Sequence, residues 1–553
     1  MEILAVEDMT FTYPKCSKPA VDGVSFTVDS GSFIVLCGAT GSGKSTLLRM
    51  LKRELSPLGE LSGEVRFCGK PLAKLSERSA AADIGFVMQS PEQQIVTDKV
   101  WHELAFGLEN LGVPQSDIAR RTAEMASYFG IGAWYGKDTS ELSGGQKQLL
   151  SLASVLVMQP KLLILDEPTA QLDPIAAADF IATLKRLNQE LGLTIIMAEH
   201  RLEDVVPVCS RLMVMEKGRL IANAPAEEVI VSLRERPDIL CGMPAASRLF
   251  AKLEEQGRSP LSVRDGRKYI EENFFNSVRA AKVEKSEVSS TPALEYKDVY
   301  FRYSRNSPDI LSGLELKVYK GEIFCMLGGN GSGKTTSLKA AAGLVKAYSG
   351  SIKVFGKKLK DYKNSSLYRE CLAFLPQDVQ TVFLKNTVKE ELDEVGADIS
   401  GFPFDFSGLM DKHPYDLSGG QQQLTALAKV LAAKPKLLLL DEPTKGLDAS
   451  AKLEFMGVLR KLRENGTTVV VVTHDVEFAA LCADRCALFF GGQIVSAGSP
   501  AEFFSENSFY TTSISRMTRG IFDNAVTVEA AVELCRLNGR RNGSVSDKKP
   551  TSA

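Results

Sequence analysis

The sequence predicts an α/β protein that contains two copies of one folding unit. Three patterns occur twice, in the same order, along the 553 residues: a glycine-rich loop, the pentapeptide LSGGQ, and four aliphatic residues followed by Asp-Glu. Short aliphatic runs are typical of strands that are buried on both faces of a parallel sheet. The repetition therefore predicts two α/β units in tandem.

The composition is that of an ordinary globular chain. Lys and Arg total 66 against 68 Asp and Glu, and 44% of the residues are hydrophobic. The formal net charge of −2 argues against a protein whose main function is to coat nucleic acid. The ten cysteines lack metal-site spacing, which predicts reduced thiols. The start lacks the pattern of a signal peptide and no apolar run is long enough to span a membrane, so we expect a cytoplasmic chain.

The spacing between paired motifs supports a duplication. Lys334 follows Lys44 by 290 residues, and Asp441 follows Asp166 by 275 residues. Most of this difference is a shortening by 13 residues between Gln377 and the second LSGGQ. The segment between the glutamine and LSGGQ has therefore diverged, whereas the sequences on both sides have kept their spacing.

Each copy continues beyond its last motif into a short segment that contains Ser-Arg-Leu at 247–249 or Ser-Arg-Met at 515–517. This similarity predicts a small C-terminal appendage in each half. The polar stretch AKVEKSEVSST predicts a linker between the halves. The predicted organisation is a first motif-bearing domain over 1–225, its appendage over 226–280, the linker over 281–291, a second such domain over 292–508, its appendage over 509–536 and a disordered tail over 537–553.

The stretches GATGSGKST and GGNGSGKTT match the phosphate-binding pattern GxxxxGK[ST]. Glycines allow backbone N–H groups to surround phosphate oxygens, and the following helix contributes its positive N-terminal end. The lysine supplies a charge and the next hydroxyl a Mg²⁺ ligand. The predicted nucleotide-binding residues are Gly38, Ala39, Thr40, Gly41, Ser42, Gly43, Lys44, Ser45 and Thr46 in the first copy, and Gly328, Gly329, Asn330, Gly331, Ser332, Gly333, Lys334, Thr335 and Thr336 in the second.

A carboxylate pair follows a buried strand in each copy. Asp166 and Asp441 end these strands, where a carboxylate can face Mg²⁺ beside the phosphate loop. The next residues, Glu167 and Glu442, can polarise an attacking water. The strands predicted from aliphatic runs are Phe33–Cys37, Leu162–Leu165, Thr194–Met197, Ile323–Leu327, Leu437–Leu440 and Thr468–Val472.

LSGGQ precedes an apolar-periodic helix in both copies. The serine hydroxyl and the first N–H groups of such a helix form an anion site. A serine N-cap followed by loop glycines is the simpler alternative. The residues of these two candidate sites are Ser143, Gly144, Gly145 and Gln146, and Ser418, Gly419, Gly420 and Gln421.

These motifs resemble those of the ATP-binding cassette (ABC) family, and the resemblance covers nearly the whole chain, once per half. It implies two P-loop NTPase cassettes in tandem. Each has a RecA-like parallel-sheet core, an antiparallel β subdomain, an α-helical signature subdomain and a small C-terminal appendage. The implied activity is ATP hydrolysis, with ATP and Mg²⁺ bound by each cassette.

The resemblance also assigns individual residues. Tyr13 and Tyr303 match the position that stacks on adenine, with aromatic packing beside a strand as the alternative. Asp173 and Asp448 match the D-loop aspartates. The implied catalytic residues are Gln89, Glu167 and His200, and Gln377, Glu442 and His474. The implied Mg²⁺ ligands are Ser45, Gln89 and Asp166, and Thr335, Gln377 and Asp441.

In the family, two cassettes enclose two ATP molecules head to tail, so that LSGGQ of one cassette completes the phosphate loop of the other. By this likeness, Lys44 would act with Ser418 and Gly420, and Lys334 with Ser143 and Gly145. Each half keeps its glutamate and its histidine. We therefore predict two hydrolytically competent sites.

The segment SPEQQIVTDKVWHELAFGLENLGVP after Gln89, the AEHRLEDV around His200 and the appendages resemble the cassettes of energy-coupling factor (ECF) transporters. These transporters bring vitamins and transition-metal ions into prokaryotic cells. The likeness implies a fused ATPase pair on the cytoplasmic face of the cell membrane. Its partners would be an integral-membrane scaffold (T component) and a substrate-capture protein (S component), with membrane contact only through them and no nucleic acid.

Two alternatives remain at this point. One is a twin-cassette ATPase that acts on ribosomes or DNA, and the other is the fused ATPase of a sugar or peptide importer. Ribosome-acting twins usually carry a long charged helical linker or a cluster of iron-sulfur cysteines. The mixed charge of the linker and the scattered cysteines disfavour the first alternative. The FGLENLG stretch and the appendages disfavour the second.

Overall fold

The computed structural model describes residues 1–254, 257–280, 289–362, 366–399, 402 and 404–540. They form two compact units. Unit 1 is Met1–Pro244 together with Lys445–Ser450, and unit 2 is the rest of the described chain. Each unit contains one copy of the repeated motifs.

Unit 1 contains two sheets. An antiparallel sheet has the strand order β2-β1-β4-β5, and a six-stranded sheet has the order β10-β9-β3-β8-β7-β6. In the six-stranded sheet, β3 and the four strands β6, β7, β8 and β9 are parallel to one another. The edge strand β10 is antiparallel to β9. The strands are β1 (Glu2–Thr12), β2 (Val21–Asp29), β3 (Phe33–Cys37), β4 (Glu60–Phe67), β5 (Lys70–Pro71), β6 (Ile84–Val87), β7 (Leu162–Asp166), β8 (Thr194–Ala198), β9 (Arg211–Glu216) and β10 (Arg219–Ala224).

The helices of unit 1 follow the strands of its parallel sheet and fill the segment between β6 and β7. They are α1 (Lys44–Met50), α2 (Glu77–Asp83), α3 (Pro91–Gln94), α4 (Val100–Asn110), α5 (Gln115–Tyr128), α6 (Gly144–Leu156), α7 (Pro174–Leu191), α8 (Leu202–Val205), α9 (Ala226–Ser232) and α10 (Pro237–Leu240).

Unit 2 repeats this architecture. Its antiparallel sheet has the order β12-β11-β14-β15, and its six-stranded sheet has the order β16-β17-β18-β13-β19-β20. The strands are β11 (Pro292–Phe301), β12 (Leu311–Tyr319), β13 (Ile323–Leu327), β14 (Ser349–Val354), β15 (Lys357–Lys358), β16 (Leu372–Leu375), β17 (Leu437–Asp441), β18 (Thr468–Thr473), β19 (Arg485–Phe490) and β20 (Gln493–Gly498).

The helices of unit 2 lie in the sequence both before and after its first strand, β11. Two precede its first strand: α11 (Ala245–Lys252) and α12 (Val263–Asn273). The others are α13 (Lys334–Ala341), α14 (Ser366–Glu370), α15 (Val388–Glu394), α16 (Gly419–Leu431), α17 (Ala449–Glu464), α18 (Val476–Cys482), α19 (Pro500–Glu506), α20 (Ser513–Thr518) and α21 (Val528–Asn538).

The α/β fold with two cassettes is confirmed, and the predicted strands are correct to within one residue. Both DE strands include their aspartate, because Asp166 and Asp441 still pair with the neighbouring strand. Every residue of β7 and β17 is buried, which explains why their side chains are aliphatic up to that aspartate. The carboxylates therefore lie at the end of a rigid, fully paired strand.

The shortened segment of the second copy corresponds to a missing helix. In unit 1, the 14-residue helix α5 packs on α4 and α6. In unit 2, the described residues between α15 and α16 contain no α-helix. Phe402, Phe404 and Phe406 pack there against one another, with ring centroids of neighbouring pairs 4.9 and 5.7 Å apart. Aromatic side chains thus replace the apolar face of a helix.

The two appendages form one hydrophobic core within unit 2. Ala246 and Leu249 of α11 and Ile270 of α12 are buried together with Ile514 and Met517 of α20. Ion pairing and hydrogen bonds surround this core. Among them, Lys252 Nζ lies 2.5 Å from Glu529 Oε1, and Arg267 donates to the carbonyl of Arg519 at 2.8 Å.

Two predicted domain boundaries differ from this organisation. The first appendage was placed at 226–280, but α9 and α10 belong to unit 1, where α9 packs on β9 and β10. Only the residues from Ala245 onward join unit 2, because their apolar faces are buried by the second appendage. The tail was placed at 537–553, but α21 continues to Asn538 and Arg540 pairs with Phe274. Of the predicted linker, residues 281–288 lie outside the described residues, as do residues 541–553 of the tail.

Candidate functional site

Both phosphate loops connect a buried strand to a helix and fold back over their lysine. Lys44 Nζ donates to the carbonyl oxygens of Gly38 and Ala39 at 2.9 and 3.0 Å. In the second loop, Lys334 Nζ donates to those of Gly328 and Gly329, both at 2.8 Å. The ammonium groups are therefore held inside the loops, where phosphate oxygens can displace the carbonyl contacts.

Glycine is required where these loops approach other backbone. Gly43 has a φ of +99°, and a Cβ atom there would lie 2.2 Å from the carbonyl oxygen of Ala20. Gly333 has a φ of +108°, and its Cβ would lie 2.7 Å from the carbonyl oxygen of Ile310. These left-handed positions turn the chain directly into α1 and α13. The remaining loop residues, Thr40, Gly41, Ser42, Asn330, Gly331 and Ser332, lie between the strand and this turn.

The two tyrosines assigned to adenine contact the helix that follows each phosphate loop. The Tyr13 hydroxyl lies 3.1 Å from Thr46 Oγ1, and the Tyr303 hydroxyl 3.2 Å from Thr336 Oγ1. Both rings also pack edge-on against a core phenylalanine two residues earlier. Tyr303 is nevertheless 62% exposed. Aromatic packing therefore accounts for one edge of the ring and leaves surface available for a base.

Each loop hydroxyl meets the aspartate at the end of the DE strand. Ser45 Oγ donates to Asp166 Oδ1 at 2.9 Å, and Thr335 Oγ1 donates to Asp441 Oδ1 at 2.9 Å. Burial raises the pKa of both Asp166 and Asp441 to about 6, despite the hydrogen bond that each accepts. A buried carboxylate beside a hydroxyl supplies hard oxygen ligands next to a phosphate site, and this donor set fits Mg²⁺.

Mg²⁺ commonly takes one or two protein oxygens and completes its octahedron with phosphate oxygens and water. The described residues accordingly include no group of three or more acidic, histidine or cysteine side chains that could hold a metal alone.

In each unit the glutamate of the DE pair is in contact with the histidine. His200 Nε2 lies 2.8 Å from Glu167 Oε1, and His474 Nδ1 lies 2.8 Å from Glu442 Oε2. Burial alone would raise the pKa of Glu167, but the His200 contact and the Lys44 charge lower it below its ordinary value. A carboxylate kept ionised in this way can accept a proton from water.

Both glutamates have a left-handed backbone. The φ angle is +45° at Glu167 and +48° at Glu442, a region that non-glycine residues rarely adopt. The backbone N–H groups of Glu167 and Glu442 still donate to the next strand, at Ala198 O (3.0 Å) and Val472 O (2.8 Å). The surrounding sheet therefore holds a strained conformation at the same position twice, as functional sites often do.

The two glutamines differ. Gln89 Nε2 donates to Glu167 Oε2 at 2.8 Å, so that the glutamine loop of unit 1 reaches the carboxylate directly. Gln377 is exposed, and no hydrogen bond joins it to Glu442 among the described residues. The sequence predicted equal roles for them, and the structure brings only Gln89 to its glutamate.

The LSGGQ serines are helix N-caps. Ser143 and Ser418 each accept a hydrogen bond from the backbone N–H of the glutamine three residues later, and that glutamine side chain accepts one from the serine N–H. These capping boxes place Gly144, Gly145, Gly419 and Gly420 in the first turn of α6 and α16. The N-cap alternative thus describes the local geometry, and the anion-binding role of the pentapeptides stays a prediction.

The D-loop aspartates have different partners. Asp173 is the N-cap of α7 and accepts the N–H of Ala176 at 2.9 Å. Asp448 belongs to unit 1 and accepts the N–H of Thr40, in the first phosphate loop, at 2.6 Å. An aspartate from the second copy is thus hydrogen-bonded to the first phosphate loop.

Sequence reasoning missed Glu199. This residue is 2% exposed, and its carboxylate accepts the N–H of His200 at 2.9 Å, the N–H of Arg201 at 3.2 Å and the hydroxyl of Thr169 at 2.8 Å. Burial raises the pKa of Glu199. It fixes the backbone on both sides of the histidine. Its position next to His200 was the available signal, because an acidic side chain at a strand end needs polar partners.

No helix in the described part of the chain is long and apolar enough to cross a membrane.

Sequence comparisons with known proteins identify the family. The family model described as "ABC transporter" matches residues 21–170 and 311–445. A protein of Bacillus thuringiensis named as an ABC transporter ATP-binding protein is 41% identical over 547 residues, which cover 96% of this chain and 98% of that one. A protein of Streptomyces avermitilis with the same name is 33% identical, with 93% and 97% covered.

Among solved structures, cbiO1 from Clostridium perfringens, described as part of the ABC transporter complex cbiONQ, is 33% identical. It aligns with a TM-score of 0.38 over 42% of this chain and 95% of its own. A nucleotide-free ATP-binding cassette from an ABC transporter is 25% identical, also with a TM-score of 0.38, over 43% of this chain.

The family model thus matches this chain twice, and the two relatives align with it over nearly their full length. ABC cassettes bind and hydrolyse ATP. The chain belongs to the ABC transporter ATP-binding proteins and is an ATPase with two cassettes in tandem.

Proposed function

We propose that this chain is the energy-coupling ATPase of an ECF-type importer, with two competent ATP sites. The observation that carries the two-site part is the Glu–His pair at 2.8 Å in each unit. The ECF part rests on the sequence likeness of the glutamine loops and appendages. It places the chain on the cytoplasmic face of the membrane, through a scaffold (T component) and a substrate-capture (S component) partner.

The proposed roles follow from the geometry. Lys44 and Lys334 leave their loop carbonyls to bind the β- and γ-phosphates. Mg²⁺, when bound beside Ser45 and Asp166 or beside Thr335 and Asp441, neutralises phosphate charge.

Glu167 then accepts a proton from the attacking water, while His200 holds the carboxylate in place. Glu442 and His474 do the same in the second unit. Tyr13 and Tyr303 stack on adenine. Gln89 and Gln377 connect the site to the helical subdomain.

The head-to-tail arrangement is part of the proposal. Asp448, which follows the second DE motif, accepts the Thr40 N–H of the first phosphate loop. The family resemblance implies a first site that Ser418 and Gly420 would complete. By the same relation, Asp173, Ser143 and Gly145 would complete the second site.

Single substitutions test whether both sites hydrolyse ATP. We expect E167Q and E442Q, each alone, to lower kcat by 10²-fold or more, because a general base typically contributes that much and the sites act together. The exposed Glu190 of α7 offers a matched control, and E190Q should retain wild-type activity. Wild-type ATPase activity in either E167Q or E442Q would contradict two competent sites.

Exposed apolar side chains next to the first glutamine loop support a partner at that position. Val96, Trp101 and Phe106 are 63%, 44% and 40% exposed, and Trp101 stacks on the His102 ring at 5.2 Å. Apolar surface of this kind is typical of interfaces. In the proposed transporter, a coupling helix of the scaffold protein would cover it.

The membrane partner is tested with the tagged full-length chain in the native host. We expect the wild-type chain to sediment with membranes together with a small integral-membrane protein. W101E combined with F106E should shift it to the supernatant while its ATPase activity persists. L191E, on the exposed end of α7, is the matched control and should stay with the membranes. Recovery of the wild-type chain with ribosomes instead would refute the transporter proposal.

A further inference from the structure

The helix that follows the second switch histidine has two acidic side chains at its start that contact other elements. Asp475, next to His474, is the N-cap of α18 and accepts the N–H of Phe478 at 3.0 Å. Its other carboxylate oxygen lies 2.5 Å from Lys452 Nζ of α17. The start of α18 is therefore fixed to α17.

Glu477 ties the same helix to the appendages. It lies on α18, three residues after His474, and its carboxylate accepts the backbone N–H of Ser513 at 2.8 Å. Ser513 is the first residue of α20, and the guanidinium of Arg248 on α11 attracts the same carboxylate. One acidic side chain of the cassette thus contacts the second appendage and is stabilised by a charge of the first.

The Glu477 carboxylate and its hydrogen-bond donor are shielded from water to different degrees. Ser513 is 6% exposed and the preceding Thr512, the N-cap of α20, is fully buried. Burial raises the pKa of Glu477 above its ordinary value, while Arg248 and the Ser513 N–H oppose that rise. Glu477 itself is half-buried and its donor Ser513 is buried, so losing this hydrogen bond costs free energy and α18 and α20 favour moving together.

The segment 510–513, just before and at the start of α20, also lies close to the second phosphate loop. The hydroxyl oxygen of Tyr510 lies 3.4 Å from the position that a Cβ atom on Gly329 would occupy. Tyr510 and Ser513 are three residues apart, and Thr511 between them is buried and hydrogen-bonded to Phe504. The segment 510–513 therefore lies beside the phosphate loop of the second ATP site and contacts its switch helix. The aligned position in the first half is Gly242, which lacks a hydroxyl.

We propose that Glu477 is a positioning residue of the second ATP site, and that through it the paired appendages respond to the nucleotide bound there. When the γ-phosphate shifts His474, α18 moves with it. Glu477 keeps its bond to Ser513 only if α20 follows. Since α20 and α11 share one core, the response reaches the appendage of the first half.

This inference rests on the ATPase activity and not on the identity of any membrane partner. It predicts a regulatory coupling between one nucleotide site and the contact that holds the two appendages together. Its failure would leave the proposed transport function untouched.

The test uses the full chain and two substitutions that remove the contact from opposite sides. E477M keeps the length of the side chain but removes both acceptor oxygens. S513P deletes the N–H donor at the first position of a helix, where proline is well tolerated. The control is E506Q, at the exposed end of α19.

We expect E477M and S513P to lower kcat about fivefold while the KM for ATP changes less than twofold, since neither residue touches the nucleotide. In the wild-type chain and in E506Q, AMP-PNP with Mg²⁺ should slow amide hydrogen exchange in α11 and α20. Both contact variants should lose that response and retain the exchange of α5. Wild-type kcat in both contact variants, or a persisting response of α11 and α20 to AMP-PNP, would overturn the proposal.

Discussion

Gly266 provides the sharpest test of how the two appendages pack. This glycine lies inside α12 of the first appendage. A Cβ atom added to it would lie 2.2 Å from Met517 Sδ of the second appendage and 2.8 Å from Ala246 Cβ. Since non-bonded heavy atoms prefer separations of about 3.5–4.0 Å, G266A requires Met517 to move by more than about 1 Å.

The size of the effect follows from two opposing terms. Overpacking a core costs about 1–3 kcal/mol, and replacing glycine by alanine inside a helix returns about 1 kcal/mol. Met517 is fully buried, so its flexible side chain has little space into which to move. We expect G266A to lower the free energy of unfolding of unit 2 by about 1 kcal/mol.

Gly457 in the middle of α17 is the matched control. A Cβ atom there meets nothing within 4 Å, so G457A should raise the free energy of unfolding by about 1 kcal/mol. Scanning calorimetry of the full chain should show the two substitutions shifting the melting temperature in opposite directions, by about 2–4 °C each. A higher melting temperature in G266A, equal to that in G457A, would refute the packing described for the appendages.

A double-mutant cycle assigns the effect to Met517. M517A alone should cost about 2–5 kcal/mol, because it leaves a cavity in a buried core. In that background G266A places its methyl group in the space vacated by Met517, and most of its penalty should disappear. An unchanged penalty would mean that Met517 does not face Gly266.

Two further predictions concern buried groups in unit 2. Burial alone would raise the pKa of Glu391, but the Lys429 ammonium and two backbone N–H groups lower it below its ordinary value. The ionised Glu391 carboxylate therefore stabilises the fold fully above pH 4.5, and this stabilisation is lost as the pH falls below that value. We expect E391Q to lower the free energy of unfolding by about 3 kcal/mol at pH 7 and by progressively less below pH 4.5. Urea denaturation across this range checks this, and an equal loss at every pH would contradict it. Neighbouring thiols and burial keep the pKa of Cys325 and of Cys486 well above the ordinary value. In the native chain, iodoacetamide at pH 8 should therefore label the exposed Cys16 and spare Cys325 and Cys486. Mass spectrometry measures the labelling, and labelling of all three cysteines at one rate would disprove this.

Local sequence was sufficient where the backbone itself carries the information. Phe33–Cys37 and Ile323–Leu327 were predicted as strands and have those bounds in the structure. The glycines of the phosphate loops and the N-cap serines of LSGGQ act within a few residues of themselves. A short window of sequence therefore contains their physical cause.

Equal motifs did not mean equal contacts. Gln89 reaches Glu167, whereas Gln377 has no such contact with Glu442. The segment after Gln377 has lost the equivalent of α5 and contains an aromatic cluster instead. The orientation of a loop side chain depends on this surrounding packing, which lies outside the motif.

The sequence by itself determined that this protein has two α/β cassettes, each with a phosphate loop, a DE strand and a histidine. Hydrophobic period, glycine placement and repetition encode those features locally. Only the tertiary structure decided that the appendages share one core, that burial raises the pKa of Asp166 to about 6, and that Glu477 joins the switch helix to α20. Each of these depends on residues distant in the chain that folding brings together, and no local pattern specifies such partners.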